Sequence, residues 1–164
     1  MQMHLKISIL KVLMVDYKKL EIYHLAHNFV LVIYELCKTF PKYEDNNLTS
    51  QLRRAATCLP LNIAEGSGAR SNKIFLNYLI FCYRSCNETE AALKLAIDLK
   101  YITKEEYEKI NEDLDKFFRK LYRYMEYIES QCNDRKRDKS YFYKYNKYHI
   151  DKENKNRENM NRLC

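Results

Sequence analysis

Glycine and proline are nearly missing from this chain, two of each in 164 residues, and tryptophan is absent. So few turn-forming residues exclude most sheet architectures of this size, which depend on repeated tight turns and bulges. Also missing are a glycine-rich phosphate loop, an HExxH pair, a paired CxxC and a serine in a nucleophile elbow, so no motif points to an enzyme or to a cofactor. What the chain does have is an apolar fraction of 46%, enough for one hydrophobic core, spaced with helical periodicity.

Four helices follow from that spacing. The first is expected from about Tyr17 to Thr39, capped by Asp16, with Ile22, Ala26, Phe29, Ile33, Leu36 and Phe40 inward, and it ends at Pro41. The second starts near Asn47 or Leu48, turns Leu48, Leu52, Ala55, Leu59 and Ile63 inward, and closes at Gly66 and Gly68, which suit a left-handed terminal residue. Pro60 inside it predicts a kink.

The third runs from a Ser71 cap to about Leu99, with Phe75, Leu79, Cys82, Cys86, Thr89, Leu93 and Ala96 inward and Tyr78, Phe81 and Ser85 widening that face. The fourth opens with the capping box Thr103-Lys104-Glu105-Glu106, then repeats Tyr107, Ile110, Leu114, Phe117, Leu121, Tyr124 and Ile128 in steps of three and four. Short connections make these antiparallel neighbours in an all-α, up-and-down four-helix bundle over residues 17–131. Residues 1–16 form an N-terminal extension, read as an apolar strap or as the product of a start codon upstream of the true one. Its apolar stretch is too short to span a membrane.

The formal charge of +7 is concentrated at one end. From Cys132 to Cys164 there are ten Lys or Arg against five Asp or Glu. Without an apolar stripe, residues 132–164 are expected to be a disordered tail. Its Arg135-Lys136-Arg137 run and Tyr141, Phe142, Tyr143, Tyr145 and Tyr148 suit single-stranded nucleic acid, although lysine, asparagine and tyrosine are also what an A/T-rich genome encodes by default. Six cysteines without a dense framework read as reduced core residues of a cytoplasmic protein.

Candidate chemistry is sparse. His24 and His27, and Cys82 and Cys86, have spacings that metal ligands use, but solvated histidines and buried thiols have them too, and no metal site is assigned. Arg53 and Arg54 point about 100° apart on a helix, so they cannot be equally buried. In one reading an arginine pairs with Glu88 across to the third helix, and Gln51, Asn62 and Glu65 complete an interior polar network. In the other, Arg53, Arg70, Lys73 and Arg84 grip phosphate beside the Gly66 to Ser71 turn.

The segment LTSQLRRAATCLPLNIAEGSGARSNKIFLNYL, followed by Ser85 and Glu88, resembles the four-helix-bundle family encoded within intervening sequences of bacterial 23S ribosomal RNA genes, a family related to the accessory variability proteins of diversity-generating retroelements. Gln51, Arg53, Arg54, Asn62, Glu65 and Gly66 match its pattern, whereas Cys58 and Leu61 stand where smaller or more polar residues are usual. The resemblance implies a bacterial protein in a ring of five bundles, a homopentamer with a positive surface and no catalytic residues. It further implies nucleic acid as a partner and, in the retroelement branch, a reverse transcriptase. A protein-interaction scaffold that binds no nucleic acid is the alternative.

Overall fold

The computed structural model describes residues 15–132, so the readings of an N-terminal strap before Val15 and of a disordered tail after Cys132 lie outside the described residues. Four helices form the bundle: α1 (Glu21–Leu36), α2 (Leu48–Ser67), α3 (Asn72–Asp98) and α4 (Lys104–Ser130). The first helix is shorter than its periodicity suggested. A 3-10 turn at Tyr17–Lys19, which Asp16 caps by accepting from the Lys18 amide at 3.1 Å, precedes it, and another at Cys37–Thr39 follows it.

Named contacts pair consecutive helices in reverse order, as antiparallel neighbours must. Tyr34 meets Thr57 while Cys37 lies beside Arg53. Gln51 bonds Glu88, Cys82 donates to the Leu59 carbonyl at 3.4 Å, and Tyr78 donates to Glu65 at 2.9 Å. The Phe75 ring meets Tyr124 while Tyr83 meets Phe118. The core between them contains the predicted inward residues of α1, of α3 from Phe75 to Ala96, and Ile110, Leu114, Phe117, Leu121 and Ile128 of α4. Met125 and Tyr83 are buried beyond what the stripes predicted. Leu48 is only half-buried, whereas Thr49 beside it is fully buried, so the inward face of α2 begins at Thr49 and Leu52.

The helix ends are built by different means. Thr103 and Glu106 form the predicted capping box, Glu106 accepting the Thr103 amide at 2.8 Å and Thr103 accepting the Glu106 amide at 3.2 Å. Donation from the Thr103 backbone holds the Glu106 carboxyl below its ordinary range. At the start of α2 the Asn47 side chain makes no cap; Glu44 reaches forward to accept the Leu48 amide at 3.1 Å. Its other oxygen accepts the Tyr101 hydroxyl at 3.0 Å, tying the α1–α2 connection to the α3–α4 connection. The Tyr43 hydroxyl, followed by desolvation and Glu44, pushes the Tyr101 phenol well above its usual range.

No glycine among the described residues has a positive φ, so neither Gly66 nor Gly68 closes α2 in the left-handed form. Gly66 is needed for space instead: a Cβ there would stand 2.6 Å from Tyr78 Cβ and 2.7 Å from Phe75 Cδ2. The left-handed closure occurs after α3, at Lys100 with φ 60°. There the Tyr101 amide bonds the Ala96 carbonyl and the Lys100 amide bonds that of Ile97, the paired hydrogen bonds of a Schellman motif. Pro60 is buried inside α2, which continues through it to Ser67. Side chains donate to carbonyls around it: Thr57 to Arg53, Asn62 to Cys58 and Cys82 to Leu59.

Candidate nucleic-acid interface

The interior network expected of Gln51, Asn62 and Glu65 does not form, because the α2 face carrying them lies on the outer seam with α3. Gln51 and Glu65 are exposed and Asn62 is half-buried, each with its own partner: Glu88, Tyr78 and the Cys58 carbonyl respectively. Glu88 also faces Arg54 at 4.0 Å, but the Arg54 side chain is 73% exposed, so the pair contributes little to stability.

The four phosphate-gripping candidates divide into two groups. Arg53 leans toward α1, its guanidinium 5.6 Å above the Tyr34 ring and beside Cys37, about 21 Å along the helix axis from the end of α2. Arg70, Lys73 and Arg84 are exposed at the α2–α3 turn and along α3. Lys73 and Arg84 are eleven residues apart in sequence, three turns of helix, and so share one face about 16 Å long. Asn77 and Asn87 are exposed on the same face.

Phe81 departs from its expected place on the inward face. It is 47% exposed, with its edge toward Tyr78 and the Arg84 guanidinium 5.9 Å from its centroid. The reason is rotational: the core of α3 is centred on Leu79, Cys82 and Cys86, and Phe81 falls too far round the helix to reach it. An exposed ring beside a guanidinium can stack on an unpaired base while the cation approaches a phosphate. Phe81, Asn77 and Asn87 were missed as candidates, yet one signal was legible. From Gly66 to Asn87 the chain has no Asp or Glu at all, while carrying Arg70, Lys73 and Arg84.

The other candidate chemistry is accounted for locally. His24 bonds the Lys18 carbonyl at 2.7 Å, and His27 stacks on Tyr23. Cys82 is enclosed, and burial together with Cys86 and Cys58 pushes its thiol up. Among the described residues no three His, Cys, Asp or Glu side chains gather as metal ligands, and no helix is long and apolar enough to cross a membrane.

Comparison with known proteins bears on the scaffold more than on the site. A crystal structure of a protein with unknown function from the S23 ribosomal protein family of Bacteroides thetaiotaomicron VPI-5482 is 30% identical, with a TM-score of 0.57 over 63% of this chain and 97% of that one. None of the curated proteins matches. The family model for the 23S rRNA-intervening sequence protein matches residues 18–123, which take in α1, α2, α3 and most of α4. With about two thirds of its length under that model, the chain belongs to the 23S rRNA-intervening sequence protein family.

Proposed function

We propose that this protein is a non-enzymatic, homo-oligomeric accessory protein that binds RNA or single-stranded DNA along the outer face of α3. The observation that carries the reading is the acid-free stretch from Gly66 to Asn87, in which the exposed Phe81 ring lies beside Arg84 on the face that also carries Lys73. Phosphate contacts from Arg70, Lys73 and Arg84 supply most of the affinity in this reading, and Phe81 supplies a platform for an unpaired base. Assembly as a ring of five, implied by the family resemblance, would repeat this face around the particle and multiply weak contacts.

Fluorescence anisotropy with a structured RNA and with single-stranded DNA, over a range of salt, tests the reading. Affinity should fall steeply with salt, and Lys73→Ala and Arg84→Ala should each reduce the slope of log affinity against log salt by about 1. Absence of binding to either probe at low salt would refute it.

A further inference from the structure

The α1–α2 seam carries a feature that nucleic-acid binding on α3 does not use. Arg53 is half-buried, its Nε is enclosed without an acceptor, and no carboxylate lies within ion-pair reach of it among the described residues. Its neighbours supply no negative charge: one is the Tyr34 ring and the other is Cys37, whose thiol burial pushes up and so keeps neutral. A partly desolvated guanidinium without a counter-charge is an unspent recognition group, since a carboxylate gains more from it there than in open water.

Beside it the seam is apolar. The contact between the Tyr34 hydroxyl and Thr57 Oγ1 fixes the level of the two helices. Leu31, three residues before Tyr34, and Leu61, four after Thr57, then lie about 5 to 6 Å further along the same side of the antiparallel pair. Leu31 is 55% exposed and Leu61 59%. Tyrosine and arginine are enriched at protein-binding hot spots, and the two exposed leucines add apolar area beside them.

We propose that the α1–α2 seam docks a segment of another protein that presents a carboxylate to Arg53 and apolar side chains to Leu31 and Leu61. A nucleic-acid strand fits this seam less well: a phosphodiester brings nothing apolar to cover the leucines, and Arg53 itself occupies a face of the Tyr34 ring on which a base would stack. A neighbouring copy in a ring would meet this seam through a different face, and that occupant is one of the overturning outcomes of the test. The proposal does not depend on the nucleic-acid reading.

The test uses the full chain and two fluorescein-labelled helical peptides. Both have leucines one turn apart; one has glutamate a turn further on, the other glutamine. The glutamate peptide should bind about tenfold more tightly than the glutamine peptide, Arg53→Gln should abolish that ratio, and Leu61→Asn should weaken both peptides alike while leaving RNA binding unchanged. Circular dichroism checks that the variants fold, and Leu61, being exposed, tolerates the change. The proposal is overturned if neither peptide binds, if the ratio survives Arg53→Gln, if Arg53→Gln and Leu61→Asn both weaken RNA binding, or if Leu61→Asn dissociates an oligomer of this chain.

Discussion

Replacing Gly66 by alanine sets two well-measured effects against each other. Helix propensity favours alanine over glycine inside a helix by about 1 kcal/mol, so local structure alone predicts that Gly66→Ala stabilises α2. The contact with α3 predicts the opposite. The new methyl would stand 2.6 Å from Tyr78 Cβ, whereas carbon atoms rest at roughly 3.5–4.0 Å, so the helices must separate locally by about 1 Å. Phe75 Cδ2, at 2.7 Å, belongs to a ring that can turn, but Tyr78 Cβ is fixed to the α3 backbone. Overpacking of this kind costs about 1–3 kcal/mol, and a helix pair pushed apart along a tight seam belongs at the upper end. The expected net effect is a destabilisation of about 1–2 kcal/mol, read as a fall in Tm of roughly 4–8 °C by differential scanning calorimetry. Truncating the Tyr78 ring should not rescue it, because the clashing atom is the Cβ that alanine retains. A Gly66→Ala protein as stable as the parent, or more so, would refute the reasoning and show that α2 and α3 can part cheaply.

Lys100→Gly should have the opposite sign, raising stability by about 1 kcal/mol in chemical denaturation, because Lys100 holds φ 60° where glycine meets no Cβ penalty. Thr103→Ala should cost about 1 kcal/mol and also change the pH response. Glu106 is held below its ordinary range in the folded state, so its stabilisation is present above the unfolded carboxylate value and lost as pH falls through the depressed one; acid titration of Tm should show a shallower decline in Glu106→Gln, and only part of that change in Thr103→Ala, which keeps the backbone donor. Phe81→Ala should weaken single-stranded DNA binding by about 1–3 kcal/mol in anisotropy with little change in Tm, since the ring is half exposed. A large loss of Tm instead would assign Phe81 to packing.

How much of this was legible in the sequence depends on whether the cause was local. The α4 capping box and Ile110, Leu114, Phe117, Leu121 and Ile128 of its stripe rest on local spacing and stand as the sequence predicted, whereas Tyr107 and Tyr124 are only half-buried and Met125 is buried instead. The exposure of Phe81 was legible from the helical angle, since it stands about 100° round the helix from Cys82, but its apolar character outweighs that angle in a sequence reading. Gly66 read as a helix stop because its actual constraint, the approach of Tyr78 and Phe75, comes from a neighbouring helix. Lys100 gave no sign at all, since the residue expected in that conformation is glycine. For Arg53 and Arg54 the helical angle correctly implied unequal surroundings, but which one leans on α1 depends on Tyr34, nineteen positions before Arg53 and on another helix.

The bond from Tyr101 to Glu44 works as a clasp across one end of the bundle. Because the same carboxylate also holds the first amide of α2, opening there must break two connections at once. The α2–α3 turn around Arg70 lies at the opposite end, next to the Ser71 cap and the Tyr78 to Glu65 bond. Breaking the clasp with Tyr101→Phe should therefore quicken amide hydrogen exchange at Leu48 while leaving exchange around Arg70 unchanged. A strand bound at the cationic end would act on helices whose register the clasp holds from the far end.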